Sequence, residues 1–94
     1  MPKILTLAVK KQYFNEIKSG IKKEEFRAIK DYWTKRLKKN YDEVHITLGY
    51  PKKDEINKIL KFKFIGYERK LIKHKEFGEK TIEVYAIQLK EKIK

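Results

Sequence analysis

Gly20-Ile21-Lys22-Lys23-Glu24-Glu25-Phe26-Arg27 is the stretch on which the fold of this chain turns, because helical spacing stops before it and strand spacing starts within it. Upstream, Lys10 to Ser19 carries Tyr13, Phe14 and Ile17 at helical spacing. Gly20 then stands where a left-handed helix cap is wanted, since glycine takes positive φ without steric cost. From Lys22 to Ile29 the pattern alternates, with Phe26 and Ala28 on one face and Glu25, Arg27 and Ile29 on the other. This predicts a strand with Phe26 turned to the core and Glu25 and Arg27 together on the opposite face. Alternation puts Lys22 with Phe26, unless the turn after Gly20 or a bulge reorients it.

Working outward, Ile4 to Val9 is a β-branched and leucine-rich run that reads as a first strand. Asp31 is the expected N-cap of a short second helix carrying Tyr32, Trp33, Arg36 and Leu37, and Asn40 to Asp42 signals a turn. Val44, Ile46, Leu48 and Tyr50 alternate with His45, Thr47 and Gly49, and Pro51 ends that strand. After a helical turn around Glu55 to Lys58, a long strand is expected from Leu60 to about Leu71. Gly78-Glu79 supplies a turn into a last strand, Ile82 to Leu89. The order is β-α-β-α-β-β-β. This is an α+β fold whose sheet is largely antiparallel after the first crossover. Because the late strands are partly apolar on both faces, closure into a small barrel is the simplest arrangement.

The chain carries 25 basic and 13 acidic residues among 94, a formal net charge of +12, with hydrophobic types at 40%. That is enough for one core and no second, so a single domain over residues 1–94 is expected, with any ligand in a surface cleft. The charge makes polyanions natural partners, although codon bias or solubility accounts equally for so many lysines. The absence of cysteine excludes disulfides and thiolate chemistry and fits a cytoplasmic setting. Met1 to Val9 lacks the pattern of a signal peptide, and no stretch approaches a membrane span in length.

The motif reads G-x-K-x-x-E-x-R. Arg27 offers a planar fork for a phosphate or a base edge, and Glu25 can accept from an exocyclic amine or hold Arg27 in place. Lys22 adds a point charge. Desolvated beside Arg27 it can also lose its proton, which makes Lys22 and Glu25 the candidate catalytic residues. A plain ion pair between Glu25 and Arg27 on a solvated strand face explains the same pattern. Trp33, beside Tyr32, offers a stacking wall for a base or packs into the core with Leu37. Lys61, Lys63 and Arg69, with Tyr67, Lys70 and Lys73, form a basic arm able to track a nucleic-acid backbone, or are solvated edge residues that block aggregation. His45 and His74 each have one carboxylate two residues away, Glu43 and Glu76, so neither a metal nor another cofactor is expected. Ser19 has no G-x-S-x-G around it, and neither a P-loop nor a dinucleotide fingerprint is present.

The G-x-K-x-x-E-x-R pattern at Gly20 to Arg27, set between a first helix and a second strand, resembles the ASCH domain family of the PUA-like barrels. The similarity in element order covers nearly the whole chain. It implies a PUA-like barrel that binds RNA or a nucleotide in a cleft between barrel and helix, with Lys22, Glu25 and Arg27 as the cleft residues, to which the motif glycine Gly20 and the stacking candidate Trp33 are added as expected ligand-binding residues. The chain also looks like a relative of small amidohydrolases that deacylate N-acetylated cytidine with the motif lysine, a threonine three residues later and a distant glutamate. Lys22 matches that lysine. Glu25 stands where the threonine is, and the loop bearing the distant glutamate is shortened to about Lys73 to Glu79. A basic adaptor for a protein partner is the third reading of the composition.

Overall fold

The computed structural model describes residues 2–73 and 80–93. They form an α+β domain of two helices and six strands: β1 (Ile4–Val9), α1 (Lys11–Lys18), β2 (Glu24–Ala28), α2 (Asp31–Leu37), β3 (Glu43–Leu48), β4 (Ile59–Lys63), β5 (Tyr67–Ile72) and β6 (Ile82–Gln88). A single 3-10 turn at Ile56–Lys58 precedes β4.

The strands divide into two three-stranded sheets, ordered β1-β3-β4 and β2-β6-β5. In the first, β1 runs parallel to β3, with Leu5 opposite Val44 and Leu7 opposite Ile46, and β4 lies antiparallel to β3. The second is wholly antiparallel, with Phe26 opposite Ala86 and Tyr67 opposite Ile87. Alternation in β1 buries Leu5 and Leu7 while Ile4 and Thr6 stay exposed, as a strand covered on one face requires. These leucines join Val44, Ile46, Leu60 and Phe62 in a core to which β6 adds Tyr85 and Ile87. Phe14 and Ile17 from α1, with Leu37 from α2, complete it.

Four expectations are corrected. The long strand from Leu60 to Leu71 is broken at Phe64–Gly66, where Gly66 takes φ +114°, a conformation that side chains disfavour. The chain thereby leaves one sheet as β4 and enters the other as β5. For the same reason the expected barrel does not close: the break separates the strand order into two sheets with their own edges. Phe26 is half-buried and lies outside the core cluster, whereas its neighbour Glu25 is buried. Lys30, without a side-chain bond, is the N-cap of α2, and Asp31 is the first helical residue, where its charge complements the helix dipole.

Residues 91–93 cover the outer edge of β4. The Lys63 N–H donates to the Glu91 carbonyl at 2.8 Å, and the Ile93 N–H donates to the Lys61 carbonyl at 2.8 Å. That pairing satisfies an edge which would otherwise offer free backbone groups. His74 and the turn expected at Gly78-Glu79 lie outside the described residues. Among the described residues, no helix is long and apolar enough to cross a membrane.

Candidate functional site

Gly20 adopts φ +85° at the end of α1. The turn it permits is held by the Gly20 N–H on the Ile17 carbonyl at 3.2 Å and the Lys22 N–H on the Glu16 carbonyl at 3.1 Å. Lys22 therefore belongs to the turn, since β2 begins only at Glu24. Strand alternation does not govern it, and its Nζ donates to Glu25 Oε1 at 3.0 Å. The turn after Gly20 thus reorients Lys22 toward Glu25, the exception that the alternation of the strand allows.

Glu25 is only 5% exposed, so the picture of a solvated pair does not hold. Burying a carboxylate is costly unless it is paired. Here both oxygens are engaged, Oε1 by Lys22 and Oε2 by Arg27 Nη2 at 3.0 Å. The same Nη2 also donates to the Ala8 carbonyl at 3.0 Å. Ala8 lies on β1, the edge of one sheet, and Arg27 lies on β2, the edge of the other. A side chain therefore bridges the two sheets where no backbone ladder joins them.

A cleft of about 390 Å³ opens at that junction. Lys22, Glu25 and Arg27 line it with Val9, Tyr13 and Phe26, and Gly49 and the 96%-exposed Tyr50 contribute from the end of β3. The Lys22 ammonium lies 4.5 Å from the centroid of the Tyr13 ring and 5.3 Å from that of Phe26, close enough for cation–π attraction. Glu25 is the one acidic residue among the described residues lining the cleft. Each of its oxygens retains a second lone-pair direction. Among the described residues the buried Nε of Arg27 has no hydrogen-bond partner. The cleft thus offers a planar ligand aromatic surface on which to stack, three cations (Lys10, Lys22 and Arg27) and one oriented carboxylate.

Trp33 does not line this cleft. Half-buried against the core, it backs Arg27, whose guanidinium carbon lies 5.1 Å from its ring centroid. Gly20 acts through the turn, not as a contact. Lys61 and Lys63 stand exposed on β4 in one sheet and Arg69 stands exposed on β5 in the other. Arg69 Nη2 meets Glu83 Oε1 at 2.8 Å, and Lys70 Nζ meets Glu24 Oε2 at 2.6 Å. Burial pushes the Glu24 carboxyl up, but hydrogen bonds from Lys70 and Gln88 and the charges of Lys70 and Lys90 outweigh it and hold the group below the ordinary glutamate value. His45 Nε2 is 2.8 Å from Glu43 Oε1. No group of three or more potential metal ligands occurs among the described residues.

Sequence reading missed Val9, Tyr13, Phe26 and Tyr50 as cleft residues. Tyr13 sits one residue before Phe14 at the flank of the apolar helix stripe, and Tyr50 follows Gly49, which takes φ +66° as β3 ends. Periodicity assigns Tyr13 to the helical stripe and Tyr50 to the β3 alternation, whereas β3 ends at Leu48 and Tyr50 lies beyond it, so neither pattern points to the cleft. Comparisons of the chain with protein-family models, with curated proteins and with solved structures return no match.

Proposed function

We propose that this chain is an ASCH-type, PUA-like module, opened between its sheets, that binds RNA or a nucleotide by inserting a base into the cleft at β1, α1 and β2. The observation that carries the reading is the buried Glu25 carboxylate, which holds Lys22 and Arg27 at 3.0 Å beside the Tyr13 and Phe26 rings. Aromatic faces stack on any base, and an oriented carboxylate and guanidinium read the donors and acceptors of its edge. The high positive charge supplies sequence-independent attraction to phosphate. A cytoplasmic setting is supported by the cysteine-free composition.

Titration with nucleosides, nucleotides and short RNAs, followed by chemical-shift mapping, tests the proposal. Perturbations confined to Tyr13, Lys22 to Arg27 and Tyr50 are the expected result. Shifts scattered over the lysine-rich surface, without saturation, would reject a base-binding cleft. A product formed from N-acetylated cytidine would favour the amidohydrolase reading, and no response to any nucleotide would leave the protein-adaptor reading.

A further inference from the structure

A second concavity, about 580 Å³, lies at the C-terminal end of α2 and is lined by Lys3, Arg36, Lys38, Lys39, Asn40 and Tyr41 among others. Four of these are cationic. Among the described residues, the Lys3, Arg36, Lys38 and Lys39 side chains form no ion pair, in contrast to Arg69 and Lys70, whose charges are already met by Glu83 and Glu24. The nearby Asp42 does not neutralise the patch through a lysine ammonium; its carboxylate accepts the Lys3 backbone N–H at 2.8 Å. Some of this charge complements the end of the helix. The two lysines beyond the helix at 38 and 39, with Lys3 just before β1, exceed what that needs.

Trp33 connects this patch to the cleft. The guanidinium carbon of Arg27, a cleft residue, lies 5.1 Å from the Trp33 ring centroid, and that of Arg36, which lines the second concavity, lies 5.0 Å from it. Arg36 Nη1 also donates to the Tyr32 hydroxyl at 3.0 Å, and Tyr32 is 60% exposed. Arg27, Trp33 and Arg36 therefore form a cation–ring–cation run, joined to Lys22 through Glu25 at one end and, through the lining of the second concavity, to Lys38 and Lys39 at the other. Alternating charge and ring is what a single strand needs, since phosphates meet the cations and unstacked bases meet the rings.

We infer that the outer face of α2 together with the turn beyond its C-terminal end is the backbone track for single-stranded RNA whose base occupies the cleft, with Lys38 and Lys39 as phosphate contacts. This rests on the base-binding reading of the cleft and assigns the phosphate path to α2 in place of Lys61, Lys63 and Arg69. The test compares a mononucleotide with a five-nucleotide single-stranded RNA across a salt series, using the full chain, Lys38→Ala/Lys39→Ala, and Lys61→Ala/Lys63→Ala as a control of equal charge loss. All four lysines are exposed, so both variants should fold as the parent does.

Loss of two phosphate contacts should make the slope of log K against log salt shallower by about 1.4, equivalent to about 25-fold weaker RNA binding at 0.1 M salt. The α2 variant should show this for the RNA while mononucleotide affinity is unchanged, and the β4 variant should leave both nearly as they were. Equal effects of the two variants, or RNA bound no more tightly than the mononucleotide, would overturn the track while leaving the cleft reading intact. RNA binding that depends on Lys38 and Lys39 without any mononucleotide binding, and is indifferent to Arg27→Ala, would retain the track and reject the cleft. Oligoglutamate of equal charge binding as tightly as the RNA would reassign the patch to an acidic protein segment. Binding of none of these probes would overturn both.

Discussion

Replacing Arg27 with alanine should weaken both the ligand and the fold, and the amounts follow from its contacts. The guanidinium forms an ion pair with Glu25 at 3.0 Å, donates a hydrogen bond to the Ala8 carbonyl at 3.0 Å, and lies 5.1 Å from the Trp33 ring centroid. A hydrogen bond to a charged group contributes about 1.5–3 kcal/mol, and breaking a fully buried ion pair costs about 3–5 kcal/mol. The Arg27 side chain is 22% exposed and Glu25 keeps Lys22, so the lower end applies. A loss of about 2.5 kcal/mol lowers the midpoint of a domain this size by about 15 °C. Scanning calorimetry measures that change, and ligand titration at a temperature where the variant remains folded separates binding from stability. Glu25→Gln, alone and combined with Arg27→Ala, should reveal a coupling of about 1.5 kcal/mol, because each substitution already removes the shared bond. Strict additivity of the two, or a midpoint that barely moves, would show that the pair is a solvated ornament of the strand and refute the reasoning.

Lys22→Arg should retain much of the affinity for a phosphate-bearing ligand, since a binder needs the charge and not the compact amine, and N-acetylated cytidine should yield no product with either protein. Turnover by the parent that the variant lacks, seen by chromatography of the deacylated nucleoside, would instead make Lys22 catalytic. Glu24 predicts an acid-side loss of stability: its folded value lies below the ordinary one, so its contribution is complete above the unfolded glutamate value and disappears as pH falls through the folded one. Denaturant midpoints of the parent and Glu24→Gln should therefore differ at neutral pH and converge in acid, and a constant gap would contradict the sign.

Much of the fold was legible because its buried strands carry strong alternation. Val44 and Ile46 announce β3, and Tyr13, Phe14 and Ile17 announce α1. The break at Gly66 was not legible, because Leu60 to Leu71 reads as one run and a lone glycine inside it signals a bulge as readily as a change of sheet. Glu25 was misplaced for a different reason. Periodicity separates two faces of a strand without saying which is covered, and a carboxylate is assumed outward unless its partners are known. Those partners come from a turn and from the strand position two residues on, so the motif residues could be named while their burial could not. The link between Arg27 and Arg36 was not legible either, because it runs through the one ring of Trp33.

The pairing of β2 with β6 also governs how the chain reaches this state. Gln88 Nε2 donates to Glu24 Oε2 at 2.7 Å across 64 positions, and among the described residues the motif strand has its one ladder partner in β6. During synthesis the residues that will form the cleft thus emerge long before the strand that fixes them. Such non-local topologies fold in about milliseconds to seconds, slower than helical bundles of equal size. On a ribosome, the site should therefore remain unformed until β6 has cleared the exit tunnel, leaving the basic N-terminal half exposed to the surrounding RNA in the interval.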